Sequence, residues 1–352
     1  MDTIEIVIGL QEGITLEEIG ILQNSFNNLR SAYGYTYCDI LQMTKNGSLA
    51  VKISYPRFFK GINAYLISTR RECFEVQKHF VEYIMNDPYL KALIKDINLT
   101  RVDIPFTYYM GEEENFHNHQ NIFMIFARVY QIKKPKSSTK GIIDLVSKEQ
   151  ETLTYADTKS ISSYNSKLVI YDQYKNILSK TEDDMMKDIT ANYPDLRKRI
   201  RFEVSKRIRR KPLSLEEFKS FDIYFSYFEE YKGYILDNVL DIEIIEMLYK
   251  EASVRLAQIL YSERALGNFN YEVFILKNLS KIYDYEILRR ALKIEIENTS
   301  TRENAVTKVR KILNDYQEST GVIVLDTYKH IIEMRKNLIN YSIVDKYENI
   351  FL

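Results

Sequence analysis

A chain of 352 residues, 45% hydrophobic and 28% charged, holds enough apolar material for a large core and for two domains. Lys plus Arg and Asp plus Glu stand at 49 each, which argues against a uniformly basic nucleic-acid binder. No run of about 20 apolar residues occurs, so no transmembrane helix is expected. Met1–Leu10 carries Asp2 and Glu5 with no basic residue and is a poor signal peptide, while Cys38 and Cys73 form neither a disulfide framework nor a zinc motif. A reducing cytoplasm fits.

The chain opens with a strand pattern over Ile4–Leu10. Thr15 and Glu18 then form a capping box for a helix whose apolar side is Leu16, Ile19, Leu22, Phe26 and Leu29, with Gly34 as its C-terminal cap. Strands Thr36–Met43 and Ser48–Ser54 flank an Asn46-Gly47 turn, and a loop Tyr55–Asn63 leads to a helix over Thr69–Met85 that buries Cys73, Val76, Phe80 and Ile84. After Pro88 come a helical turn Tyr89–Ile94, a strand Arg101–Thr107, a glutamate-rich loop and an apolar segment Ile122–Tyr130 read as a strand. Lys133–Lys140 reads as an exposed connection, Ile142–Ser147 as a helix or turn, and Thr152–Ala156, Lys167–Tyr171 and Arg199–Val204 as strands, with helix near Glu182–Tyr193. From Leu213 the pattern turns helical. Ser214 and Glu217 open one helix, Asp241–Ser262 and Tyr285–Glu297 are further helices, Ser300 and Glu303 cap Asn304–Tyr316, Gly321 ends that region, and Asp326–Asn340 is the last. The expected fold is α+β: a strand-rich domain over 1–212 with an antiparallel sheet and packed helices, then an all-helical domain over 213–352.

Polar residues interrupt three of the strands. Alternation sets Asp103 opposite the apolar side of Arg101–Phe106, and Glu203 with Arg199 and Arg201 opposite Ile200, Phe202 and Val204. Asp103 is a candidate ligand for a hard cation, and equally a carboxylate paired with Arg101 or Arg199. Glu203 either completes a carboxylate pair with Asp103 or neutralises the arginines beside it. Tyr171, and Tyr155 on the preceding strand, are candidate nucleophiles that need activation, for which Lys175 is at hand; with 28 tyrosines in the chain, each also reads as an ordinary sheet residue. The segment 197–211 concentrates Arg199, Arg201, Lys206, Arg207, Arg209, Arg210 and Lys211 against Glu203 alone, a density suited to phosphate contacts or to a solvated strand edge. His117 and His119 sit one residue apart, as in a metal-binding pair on a strand, but their flanks read as loop; His79 and His330 read as structural. Asp284–Tyr316 has room for a helix-turn-helix or for two plainly packed helices. No glycine-rich phosphate loop, GxSxG or HExxH occurs, which disfavours nucleotide-driven chemistry.

The order of these segments resembles the rolling-circle replication initiators, the group spanning filamentous-phage replication proteins and plasmid or integrative-element proteins of Gram-positive bacteria. That group shows S-x-x-K-F-x-x-G-N-N, then R-[IV]-D-[IL], then Y-D-K, then R-[IF]-E. Here Ser54-Tyr55-Pro56-Arg57-Phe58-Phe59-Lys60-Gly61-Ile62-Asn63, Arg101-Val102-Asp103-Ile104, Tyr171-Asp172-Gln173 and Arg201-Phe202-Glu203 are similar to these in turn, over about residues 40–215. Gln173 stands where the group has lysine, and Ile62 interrupts the asparagine pair. The resemblance implies a site-specific endonuclease and strand transferase that nicks origin DNA, duplex or single-stranded. It implies a 5′-phosphotyrosine link through Tyr171 or Tyr155, with Asp103 and Glu203 holding Mg2+ or Mn2+, and Lys175 in place of the missing lysine. Origin DNA, a host helicase and a second copy of the chain are the partners it suggests. Two other readings stay open: an initiator or repressor that binds DNA without cutting it, and an interaction protein with no DNA role.

Overall fold

The computed structural model describes residues 1–43, 48–112, 114–143, 150–209, 212–278, 281–282, 284–320 and 326–342. One antiparallel sheet of eight strands organises the molecule, in the order β2-β3-β1-β4-β8-β7-β6-β5. The strands are β1 (Thr3–Leu10), β2 (Cys38–Met43), β3 (Leu49–Ser54), β4 (Ile94–Tyr109), β5 (Ser138–Ile143), β6 (Gln150–Ala156), β7 (Ser166–Asp172) and β8 (Arg199–Arg207). Strand β4, 16 residues long, joins the two halves: its first part pairs with β1 and its second with β8.

Helices α1 (Leu16–Asn28), α2 (Tyr55–Lys60), α3 (Arg70–Met85), α4 (Pro88–Leu93), α5 (Gln120–Lys133), α6 (Gln173–Leu178) and α7 (Asp183–Asn192) are inserted between strands. The elements described after β8 are helices: α8 (Leu215–Ser220), α9 (Ile223–Asn238), α10 (Ile242–Ala265), α11 (Tyr271–Lys277), α12 (Tyr285–Glu295), α13 (Thr299–Thr320) and α14 (Thr327–Asn340). The α+β expectation is met, with the helical region where the pattern placed it. No helix among the described residues is long and apolar enough to cross a membrane.

Alternation divides the sheet into two unlike faces. Ile4, Ile6 and Ile8 of β1, Val51 and Ile53 of β3, Val102, Ile104 and Phe106 of β4, and Ile200, Phe202 and Val204 of β8 form the apolar one, all buried. Helices α3, α5, α9 and α14 and the strands' apolar face contribute to one continuous hydrophobic core. Polar anchors fix the layers: Tyr231 of α9 donates to the Val102 carbonyl at 3.2 Å, and Gln77 of α3 donates to the Phe218 and Phe221 carbonyls at 2.8 and 2.9 Å. A smaller cluster of Ala64, Ile177, Met186, Ile189 and Leu196 gathers the loop after α2 against α6 and α7.

Several expectations are corrected. Ile122–Tyr130 is not a strand but the middle of α5; its buried residues Ile122, Phe123, Ile125, Phe126, Val129 and Tyr130 follow the i, i+3, i+4, i+7 spacing of a helix stripe. The Tyr55–Asn63 loop contains α2, which ends at Gly61 with φ +72, where an added Cβ would come within 2.8 Å of the Tyr35 ring. Leu16 is 78% exposed rather than packed, and α1 ends at Leu29, so Gly34 (φ +85) belongs to the turn beyond it. Helix α13 starts before Ser300, at an N-terminus where Asn298 accepts from the Thr301 amide at 2.9 Å. Helices α9 and α11 were not expected. The Asn46-Gly47 turn, Gly321 and most of the Ile142–Ser147 segment lie outside the described residues.

Candidate active site

Strand register sorts the candidate residues by face. One row across the sheet is Thr3, Asp103, Ser205 and Lys167; the next is Pro105, Glu203 and Val169; the next is Thr107, Arg201 and Tyr171. Residues opposite one another on paired strands share a face. Asp103, Glu203 and Arg201, which alternation set away from the apolar sides of their strands, therefore stand together with Tyr171 on the polar face. Tyr155 does not. It pairs with Leu168, which pairs with Val204, so it lies on the apolar face, wholly buried and donating to the Phe123 carbonyl of α5 at 3.0 Å. The second candidate nucleophile is thus a packed sheet tyrosine beneath a helix.

Within the polar cluster each group has identifiable partners. Arg101 grips Asp103 with Nε to Oδ1 at 3.0 Å and Nη2 to Oδ2 at 2.8 Å, and Ser205 Oγ also donates to Oδ1. Glu5 forms a further ion pair with Arg101. Burial raises the Asp103 carboxyl above the usual carboxylate range, against the pull of Arg101 and Ser205. Tyr171 Oη donates to Glu203 Oε2 at 3.1 Å. Burial and the nearby Asp2 and Asp103 push Glu203 up to about 8, although Arg201 draws it down. Burial, then Glu203, raises the Tyr171 phenol well above 10, with Arg201 acting the other way.

Two groups in this cluster remain without hydrogen-bond partners among the described residues. Arg201 is 2% exposed; its Nη1 donates to Thr107 Oγ1 at 3.3 Å, while its Nε has no acceptor. Asp2 is 3% exposed and its Oδ1 has no donor. A buried unsatisfied donor and acceptor each cost about 1–3 kcal/mol and call for an explanation. Asp2 precedes the first strand and carries no local pattern that would mark it; its amide donates to the Asp103 carbonyl at 3.1 Å, which fixes it here.

The segment after α2 closes one end of this face. Ser54 Oγ donates to Asn63 Oδ1 at 3.2 Å, Gln173 Nε2 to the Asn63 carbonyl at 2.7 Å, and Arg199 Nη1 to the Ala64 carbonyl at 2.7 Å. Two of the short sequence motifs, Ser54–Asn63 and Tyr171–Gln173, therefore meet in space. Asp172 serves as N-cap of α6, accepting from the Lys175 amide at 3.1 Å. Lys175 itself lies half-buried on α6; the cation acting most on Tyr171 is Arg201.

The basic run separates into different roles. Arg199 is interior and held bidentately by Asp195 at 2.8 and 2.9 Å, and Arg201 is interior as described, so neither is a surface phosphate contact. Lys206 turns to the apolar face, paired with Glu230 at 2.6 Å over the rings of Tyr231 and Tyr234. Arg207 and Arg209 are exposed, whereas Arg210 and Lys211 lie outside the described residues. Alternation sets only Lys206 apart; Arg199, Arg201 and Arg207 share a face, and burial falls off along β8 towards its exposed end at Arg207. His117 is exposed on a turn of 3-10 helix, and His119 is fully buried, so they do not form a pair.

No protein-family model and no curated protein matches the chain. Among solved structures, a rolling circle replication initiator protein from Geobacillus stearothermophilus is similar over 58% of this chain and 72% of its own, at 14% identity and a TM-score of 0.26. A likeness at that level identifies neither a family nor an activity.

Proposed function

We propose that this protein nicks DNA through Tyr171 to initiate rolling-circle replication. The observation that carries the reading is the Tyr171 Oη to Glu203 Oε2 hydrogen bond, beside the unbonded Nε–H of Arg201. A phenol needs a proton acceptor before it attacks phosphorus, and a carboxyl raised to about 8 is a far better acceptor than an ordinary one. In the reaction the Tyr171 oxygen bonds to phosphorus, its proton passes to Glu203, and the phosphorus–O3′ bond breaks. The departing O3′ takes up a proton and becomes the 3′-OH primer, while the 5′-phosphate stays esterified to Tyr171. Arg201 Nε–H supplies a donor for the charge that grows on the phosphate oxygens.

Mg2+ or Mn2+ fits the acidic side of the cluster. Asp2 Oδ1 lacks a donor, and Glu203 titrates high through burial first and then through the neighbouring Asp2 and Asp103. Asp103 is already filled by Arg101 and Ser205, so Asp2 and Glu203 are the groups with coordination to spare. A cation there would draw charge from the scissile phosphate. Tyr171 is only 9% exposed, so a DNA strand reaches it after neighbouring side chains shift. Exposed Arg207 and Arg209 serve as backbone contacts for the DNA.

The test is incubation with supercoiled plasmid carrying the DNA around the protein's own gene, in Mg2+ or Mn2+. The expected product is nicked circle with protein covalently attached, absent in Tyr171→Phe. An adduct that survives Tyr171→Phe removes the nucleophile assignment. Retention of DNA without any nick favours the non-cutting initiator.

A further inference from the structure

We propose a second metal site, independent of the nicking chemistry, formed by Glu114, His119 and His330 and suited to a divalent ion of the zinc, cobalt and nickel type. One ligand atom from each of the three residues lies within 4.8 Å of the others, the only such group of three among the described residues. Glu114 follows β4, His119 ends the short turn before α5, and His330 sits in the first turns of α14.

Ring orientation carries the inference. His119 Nδ1 faces the Asn115 carbonyl at 3.0 Å, and His330 Nδ1 faces the Asp326 carbonyl at 2.9 Å. A carbonyl oxygen only accepts, so both Nδ1 atoms bear hydrogen and both Nε2 atoms of the neutral rings present lone pairs. Those lone pairs converge on a carboxylate: His330 Nε2 is 3.0 Å from Glu114 Oε1, and His119 Nε2 is 3.5 Å from Glu114 Oε2. Lone pairs facing a carboxylate repel unless a proton or a metal ion lies between them. His119 is 0% exposed and its Nε2 has no hydrogen-bond partner.

Backbone carbonyls behind the coordinating imidazoles are the usual second shell of a metal-binding histidine, fixing tautomer and ring plane. Two imidazoles and one carboxylate suit borderline ions and suit Mg2+ poorly. Ligand bonds of about 2.0–2.2 Å put tetrahedral ligand atoms roughly 3.3 Å apart, so the cluster closes on an ion by small side-chain shifts. Glu114 and His330 are 216 residues apart in sequence, and an ion there would pin α14 to the segment leading into α5.

The test is titration of the EDTA-treated full chain with Co2+, following its visible d–d absorption, and with Zn2+ by calorimetry. One equivalent with a tetrahedral Co2+ band is expected. Glu114→Gln and His330→Gln should each weaken binding at least tenfold, while His117→Gln leaves it unchanged. His330 is partly exposed, so its variant is the one to use, with circular dichroism checking the fold, because a change at the fully buried His119 disturbs packing as well. Absence of a Co2+ band in the folded wild type, or a band that persists in His330→Gln, overturns the site. A band lost in Glu203→Gln but kept in Glu114→Gln also overturns it, assigning the ion to the sheet cluster.

Discussion

Glu203 is the residue on which the proposed chemistry turns. It accepts the Tyr171 proton only after losing its own, so nicking should rise with pH and level off below the metal-free titration near 8, because a bound cation favours the carboxylate. Glu203→Gln should lower the rate by about 10²–10⁴-fold and remove that rise. A wild-type pH profile that is flat, or one unchanged in the variant, would assign the proton elsewhere. Arg101 is a second telling position. Arg101→Met strips Asp103 of its bidentate partner in the interior, and the expected cost is about 3 kcal/mol by urea unfolding. Partial recovery in the double variant Arg101→Met, Asp103→Asn would confirm that an unpaired charge is the cause, and a cost below about 1 kcal/mol would show the pair to be slack. Alternation set Asp103 and Glu203 opposite the apolar sides of their strands, but only the pairing of β7 with β8 brings Tyr171 beside them. It could not reveal Asp2, whose position comes from pairing with a strand a hundred residues away, nor the burial of Arg199 and Arg201, which the loop after α2 and the neighbouring strands cover.

At the level of elements, α5 shows how composition misleads. Its run of isoleucine, phenylalanine, valine and tyrosine suits a strand by propensity, yet the spacing of the buried residues is helical, and burial against the sheet decides. The same helix explains Tyr155, whose hydroxyl it receives. Tyr155→Phe should cost about 1 kcal/mol through the lost buried hydrogen bond to the Phe123 carbonyl and leave the covalent DNA adduct intact. Loss of the adduct in that variant would undo the placement of the nucleophile. Capping boxes at Thr15–Glu18 and Ser214–Glu217 form as the sequence indicated, because their signal is local. Asp284 is different: it caps α12 and also accepts from Tyr249 Oη at 2.7 Å and from the Tyr328 amide at 2.8 Å, tying α10, α12 and α14 together. Asp284→Ala should therefore destabilise by about 2–3 kcal/mol, more than the roughly 1 kcal/mol of an ordinary cap, in thermal or urea melts.

For the molecule as a whole, the buried Glu203 sets a pH dependence of stability. An unfolded glutamate loses its proton near 4.5, whereas the folded one keeps it to about 8, so its contribution is full below 4.5 and is lost as pH rises through 8. The melting temperature of Glu203→Gln should gain on the wild type between pH 5 and pH 9, and a constant difference would contradict the assignment. Strand order has its own effect, on the order in which the protein comes into being. The two central strands, β4 and β8, are partners, but the chain between Tyr109 and Arg199 must be made before the second exists. At about 5–20 residues per second, a ribosome leaves the 16-residue β4 with one unpaired edge for several seconds or more. Until then β1, β2, β3 and β4 form an open half-sheet whose apolar face lacks α9 and α14, so the nascent chain offers a sticky template to chaperones and to its own copies.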